Sequence, residues 1–181
     1  MSLGNVNHVD DDSGSQVVIE ELHHMVHEGF LFHSSGKVTG MVDTNVDDFL
    51  FVTAANNYPH VQSLTFSFGA GDIDILVYEG STASADGTPE TILNTNRNSI
   101  ITPDLVFNSA PTITDVGTLI HTGWVVPTAT GVGQSLAGII TEGTGEEWIL
   151  KPSTKYLVRI TNNSGATISY RWELVFYEIG Y

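Results

Sequence analysis

Four histidines near the N-terminal end, His23, His24, His27 and His33, are the densest group of side chains capable of chemistry, with Glu28 beside them. On a helix His23 and His27 would stand one turn apart, a spacing at which two imidazoles can bind zinc. The zinc-protease signature HExxH is absent, because Gly-Phe-Leu follows His27 and Glu28. On a strand His23, His27 and His33 would point the same way. The sequence predicts histidines at a surface or interface and no metal site.

Carboxylates form two short groups, Asp10-Asp11-Asp12 and Asp72-Ile73-Asp74. Carboxylate oxygens are the ligands of hard cations such as calcium, but neither group has the DxDxDG loop with its distant Glu. On a strand Asp72 and Asp74 would both face water. We therefore expect solvated acids here.

No pattern of nucleophilic catalysis is present. The motif GxSxG does not occur, and there is no cysteine to act as a thiolate nucleophile or metal ligand. The glycines at 131, 133 and 138 lack the lysine of a phosphate-binding loop. The sequence predicts a protein that is not an enzyme and binds no cofactor.

Three tryptophans, Trp124, Trp148 and Trp172, could stack on sugar rings. Trp172 alternates with charged residues in an apolar run, so it is expected in the core. Trp124 and Trp148 stay open as candidates for a ligand surface.

The excess of acidic over basic residues argues against two classes of binding partner. The chain has 181 residues, 21 acidic and 6 basic, and a formal net charge of −15. Nucleic-acid backbones and anionic lipids are recognised by clustered Lys and Arg, so neither is an expected partner. No apolar run is long enough for a membrane span, and residues 1–16 lack the basic and apolar regions of a secretory signal.

The N-terminal part of the chain divides at Val17. Residues 1–16 are polar and predict a flexible arm, whereas residues 17–181 predict one folded domain. Residues 17–36 are ambiguous, because apolar residues recur there both at helical spacing and on one strand parity. We favour extended structure for this segment.

Alternating apolar and polar residues then predict a series of strands. The clearest are 62–68, 72–79, 155–162 and a long closing strand from Ile168 to Tyr177. Turn residues between 62–68 and 72–79 favour pairing these two as a hairpin. With about eight short strands and no βαβ rhythm, the fold class expected is all-β, a jelly-roll-like β-sandwich with an extended N-terminal arm.

The chain resembles the head decoration, or cement, proteins of tailed phages in six phrases that occur in order. These are HHMVHEGFLFHSS, LVYEGSTASADGT, NTNRNS, PTITDVGT, EWILKPSTKYLVRITN and WELVFYE, and they spread over residues 22–181. The resemblance implies a jelly roll without catalytic residues that sits as a homotrimer on the outer capsid surface, bound to the major capsid protein. Such a protein would be made in the host cytoplasm. An alternative is a jelly-roll module of a head fibre or tail that binds a host-surface glycan.

An apolar, β-branched patch, Val17, Val18 and Ile19, directly follows the polar arm. Such residues are not expected to stay exposed to water. Because an extended segment can add to the edge of another sheet, we expect these three residues to make an oligomer or capsid contact.

Overall fold

The computed structural model describes residues 8–9, 16–17, 21–69, 71–125, 135–140 and 147–180. Its elements in chain order are β1 (His8–Val9), β2 (Gln16–Val17), α1 (Glu21–Glu28), β3 (Leu31–Met41), β4 (Val46–Val52), β5 (Asn57–Phe68), β6 (Ile73–Glu79), β7 (Thr82–Ala85), β8 (Thr88–Pro89), β9 (Leu93–Asn94), β10 (Val106–Ser109), β11 (Thr112–Asp115), β12 (Thr118–Val125), β13 (Ser135–Ile140), β14 (Trp148–Ile149), β15 (Lys155–Asn162) and β16 (Ile168–Gly180). None of the described helices is long and apolar enough to cross a membrane.

Two large antiparallel sheets hold most of these strands. Sheet I has the order β13-β5-β16-β3-β9, with β14 also paired to β5, and sheet II has the order β12-β6-β15-β4-β10-β8. Along the chain, the path from β3 to β16 changes sheet at each step between long strands except the step from β6 to β12. This is the strand order of a jelly roll, so the predicted fold class is confirmed.

The core lies between the two sheets and is rich in aromatic rings. Phe49 and Phe107 of sheet II stack with centroids 5.4 Å apart, and Trp172 of sheet I meets both rings edge-on, at 5.8 and 5.1 Å. Trp172 is only 3% exposed, so its predicted place in the core is confirmed. Phe66 extends the cluster, with its centroid 6.2 Å from that of Phe49. Offset and edge-on pairs of this kind add to the free energy gained from apolar burial.

The predicted hairpin between residues 62–68 and 72–79 is wrong. β5 pairs with β16, β13 and β14 in sheet I, while β6 pairs with β15 and β12 in sheet II. The chain crosses between the sheets through Gly71, whose φ of +124° suits only glycine. A side chain at Gly71 would also meet the Cβ of Ser164 at 2.6 Å. The same turn residues therefore form a crossover between the sheets instead of a hairpin. β5 and β6 lie in different sheets, and their apolar faces contact the core from opposite sides.

Extended structure across residues 17–36 is also wrong in part. α1 occupies Glu21–Glu28, and extended structure resumes with β3 at Leu31. The helix ends at Gly29, where φ is +79°; the Gly29 N–H donates to Val26 O at 3.1 Å and the Phe30 N–H to Met25 O at 2.9 Å. This pair of bonds is a Schellman cap, and it needs the left-handed glycine.

Candidate interaction surfaces

The loop 94–99 caps the C-terminal end of α1. The buried Asn94 side chain donates from Nδ2 to Gly29 O at 2.7 Å, and Asn96 Nδ2 donates to His27 O at 3.2 Å. A Cβ on Gly29 would lie 2.4 Å from Ser99 Oγ. The segment 23–35 and the loop 94–99 thus meet at one junction that anchors α1.

The histidine cluster lies on the exposed side of α1. His23 and His27 are exposed, with their Nε2 atoms 2.8 Å apart, and His24 is exposed beside them. His33 lies on β3. Among the described residues, no three or more His, Asp or Glu side chains gather in an arrangement able to hold a metal ion. The expectation that the protein binds no metal stays a prediction.

Three of the six basic side chains are paired with carboxylates around sheet II. Arg159 donates from Nε and Nη2 to the two oxygens of Asp48, both at 2.8 Å, and Lys151 lies 2.6 Å from Glu79. The hydrogen bond from Lys151 lowers the pKa of the Glu79 carboxyl, and the bonds to Asp48 raise the pKa of Arg159. Lys155 pairs with Asp86.

Lys37 and Arg171 differ from these three. They lie directly opposite each other on β3 and β16, both exposed on the outer face of sheet I. Within the described ranges, neither has a carboxylate oxygen within 4.0 Å. The two cations border an open groove of about 600 Å³ whose other polar side chains are Ser35, Thr65, Ser67 and Glu173.

β3 has one open edge. On one side β3 pairs with β16 along its length. On the other side β9 pairs only with Phe32 and His33. Ser34 Oγ donates to Thr91 O at 2.7 Å just beyond that pairing. From Ser35 to Thr39 the edge pairs with no strand among those the structure describes. At Gly40, with φ of +78°, a register shift against β16 ends the regular stretch.

An open cleft of about 390 Å³ lies beside this edge, between the two sheets. Its apolar lining comes from Val38 of β3, Val46 and Phe49 of β4, and Ala110 and Pro111. The acids Asp47 and Asp48 of β4 line it too. Val46 is 48% exposed, which is high for a valine next to the core. Tyr170 closes the inner end, and its hydroxyl donates to Asp47 Oδ2 at 2.9 Å. We name the Ser35–Thr39 edge together with this cleft the β3 edge site.

Of the predicted contact residues Val17, Val18 and Ile19, only Val17 lies within the described residues. It belongs to β2 and pairs with His8 of β1, and β1 and β2 form a two-stranded sheet of their own. The role predicted for these three residues stays a prediction, as does the division of the chain at residue 16.

A polar cluster on the outer face of sheet I was not predicted from the sequence. His60 is 5% exposed; its Nδ1 lies 3.2 Å from Glu147 Oε1, and its ring stacks on Tyr177 at 4.5 Å. The Tyr177 hydroxyl donates to Glu147 Oε2 at 3.1 Å. His60 Nε2 is buried, and no described residue forms a hydrogen bond with it. The cluster ties the chain before β14 to β5 and β16, and these residues lie too far apart in sequence to form a local signal.

Trp124 and Trp148, the two candidates for a ligand surface, differ in exposure. Trp148 is half-buried against the core and meets the His121 ring edge-on at 5.7 Å. Trp124, on edge strand β12, is 66% exposed, with Leu119 and Ile120 of the same strand also exposed. Trp124 pairs in register with Asp74. It is therefore the better candidate for a ligand or partner contact.

No family model matches the sequence, and no curated protein matches it. Among solved structures, one with a measurable likeness is the unassembled VP1 pentamer of KI polyomavirus. It is 11% identical, with a TM-score of 0.21, and the alignment covers 93% of this chain and 81% of that one. The jelly-roll assignment rests on the strand order described above and takes no support from this likeness.

Proposed function

We propose that this protein is a structural virion protein that decorates and stabilises the outer surface of a tailed-phage capsid as a homotrimer bound to the major capsid protein. The observation that carries the proposal is the β3 edge site, an unpaired strand edge beside an apolar cleft on a jelly roll. Such an edge invites pairing with another chain, and association around a threefold axis would cover it.

Two further features support the proposal. Two of the phrases that resemble those of decoration proteins, residues 23–35 and 94–99, meet at the hydrogen-bonded junction of α1 with loop 94–99. The net charge of −15 suits a domain presented to solvent on a large particle, because like charges keep particles apart. The protein would be made in the host cytoplasm and act on the virion.

The test mixes the purified chain with expanded, undecorated heads of its parent phage. We expect saturable binding in a copy number that follows the shell lattice, and a trimer mass by light scattering. Heads that carry the protein should rupture at a higher temperature than bare heads. A chain that stays monomeric and fails to bind heads would refute the proposal.

A second candidate is a module that binds a host-surface glycan, favoured by the exposure of Trp124 on β12. Aromatic faces stack on sugar rings, and a 66% exposed tryptophan is available for this. A glycan array with the wild-type chain and with Trp124→Ala separates the candidates. Binding lost in the variant would favour the glycan reading, and a blank array would reject it.

A further inference from the structure

We propose that the β3 edge site receives residues 10–19 of a second copy of this chain, with Val17, Val18 and Ile19 entering beside β3 and Asp10, Asp11 and Asp12 near Lys37 and Arg171. The inference rests on the function proposed above, capsid decoration by a homotrimer, and names the contact that would hold the trimer together.

Main-chain geometry supplies the first argument. The Ser35–Thr39 edge presents N–H and C=O groups that no described strand pairs, and among the described strands β2 pairs only with β1. Each of the two strands thus has one edge without a partner among the described residues. Strand addition would pair both, in the manner by which extended peptides bind to sheet edges.

Apolar complementarity supplies the second argument. The cleft beside the edge exposes apolar surface on Val38, Val46 and Pro111. The segment Val17, Val18 and Ile19 consists of β-branched residues, which fit strands and gain free energy when removed from water. A strand placed at this edge would cover both apolar surfaces at once.

Charge distinguishes this edge from β12, the open outer edge of sheet II. Asp10, Asp11 and Asp12 make the longest run of acids in the sequence, and Glu20 and Glu21 follow the apolar patch. β12 pairs with β6, which carries Asp74 and Glu79, the latter paired with Lys151. The cleft of the β3 edge site also contains acids, Asp47 and Asp48, of which Asp48 is paired with Arg159. The two edges differ instead in the cations that have no carboxylate partner among the described residues.

The β3 edge, in contrast, carries Lys37, with Arg171 on the next strand. Two like charges directly opposite each other on neighbouring strands are destabilising. A segment added to the free edge of β3 would place its acids beside Lys37, on the side of β3 away from β16, and would lower the repulsion between the two cations.

Residues 10–15 join β1 to β2, which pair at Val9 and Gln16. Asp10, Asp11 and Asp12 therefore stay within a few residues of Val17 in space, and a copy that places Val17 at the β3 edge would bring them close to the same edge.

A lysine on an open edge has another possible role, as a charge that deters pairing with other chains. The two roles predict opposite effects of Lys37→Ala on self-association. If Lys37 deters pairing, Lys37→Ala strengthens self-association; if Lys37 binds the acidic segment, the same change weakens it.

The main experiment exchanges charges between the two partners. Variant X carries Lys37→Glu and Arg171→Glu, and variant Y carries Asp10→Lys, Asp11→Lys and Asp12→Lys. Each alone places like charges in contact, so we expect each to trimerise at least about tenfold more weakly than wild type in low salt. The difference should shrink at high salt.

Co-expression of X and Y with different tags tests whether the contact joins two chains. In a mixed trimer two of the three contacts again join opposite charges, so mixed trimers should form where neither variant trimerises alone. A chain carrying both sets of changes should also trimerise. The control Asn56→Glu, Arg97→Glu and Asn98→Glu makes the same change in net charge as X at exposed sites elsewhere and should leave the trimer unchanged. A β-sheet circular dichroism spectrum for every variant excludes misfolding as the cause.

The outcomes separate the inference from the function on which it rests. A wild-type chain that is monomeric overturns both. If wild type is a trimer that binds heads while X and Y trimerise normally, only the inference is overturned. If the chain with both sets of changes trimerises but co-expressed X and Y do not, the segment binds the β3 edge of its own chain. That result would overturn the second-copy assignment. Stronger association of Lys37→Ala would assign Lys37 the deterrent role and also overturn the inference.

Discussion

The two faces of β16 differ as sharply as any two regions of this molecule. On the inner face Tyr170, Trp172, Leu174 and Phe176 are each at most 3% exposed, while on the outer face Arg171 and Glu173 are exposed. One strand thus supplies both the core and the surface of the open groove. The stability of the fold should depend on the inner residues, and the outer ones are free to serve binding.

The contrast ends near the C-terminal end of β16. Tyr177 and Glu178 are both buried, at 4% and 5% exposure, although they lie on opposite parities. Tyr177 is covered on the outer face, where it holds Glu147 with His60. Glu178 accepts hydrogen bonds from the N–H groups of Asp104 and Leu105, at 2.8 and 2.7 Å. The alternation of apolar and polar residues along a strand therefore predicts which residues are buried only where no other part of the chain covers the outer face.

The largest expected effect is on the inner face. Trp172→Ala should lower the free energy of unfolding by about 3–5 kcal/mol, because it empties the centre of the aromatic cluster. Urea denaturation followed by circular dichroism measures the change. A loss below about 1 kcal/mol would mean that Trp172 does not fill the core.

The next effect concerns Glu178. Glu178→Ala removes the acceptor from two backbone N–H groups, of which that of Leu105 is buried, at a cost of about 1–3 kcal/mol for a buried group left unsatisfied. Urea denaturation at neutral pH measures it. An unchanged midpoint would show that these N–H groups find other partners.

Glu178 also predicts a pH dependence. Burial raises the pKa of its carboxyl, although the two N–H donors oppose that shift. The folded state then binds the proton more tightly than the unfolded state, so this group's contribution to stability is complete below the ordinary Glu pKa of about 4.3 and is lost as pH rises through the folded pKa. The destabilisation by Glu178→Ala should therefore be larger at low pH than at neutral pH. A penalty that grows as pH rises would show the opposite shift.

An effect of similar size is expected at Gly36, the residue of β3 that contacts the Trp172 ring. A Cβ on Gly36 would lie 2.5 Å from Trp172 Cζ2 and 2.6 Å from Cε2, so Gly36→Ala should cost about 1–3 kcal/mol by overpacking. The same change in a Trp172→Ala background should cost much less, because the ring is gone. Additive effects in this double-mutant cycle would show that the two residues do not touch.

The smallest effect is on the outer face. Arg171→Ala should change the stability of the chain by less than about 1 kcal/mol, since Arg171 is exposed and has no carboxylate partner among the described residues. Its effect should instead appear in self-association. If Arg171→Ala destabilises the monomer as much as Trp172→Ala does, the register of β16 derived from the two faces is wrong.

Local alternation was sufficient to predict several strands. Residues 155–162 match β15, and the closing run from Ile168 matches the start of β16. These features follow from the period of two in an extended chain, which any single strand displays by itself.

Pairing between strands was not predictable in the same way. The turn residues before Ile73 fit a hairpin and a crossover equally well, and the choice depends on which sheet receives β6. For residues 21–28 both periods were present in the sequence, and the helix was decided by its cap at Gly29 and by Asn94 and Asn96, which lie far along the chain.

By itself the sequence determined that the protein is an acidic, cysteine-free chain of alternating strands with Trp172 directed to the core, because composition and alternation are properties of neighbouring residues. The tertiary structure alone decided that Lys37 stands opposite Arg171 and that β3 keeps an open edge beside an apolar cleft. It also brought His60, Glu147 and Tyr177 together. Each of these features joins residues that are distant along the chain, and their meeting depends on the order and register of strands, which local sequence does not encode.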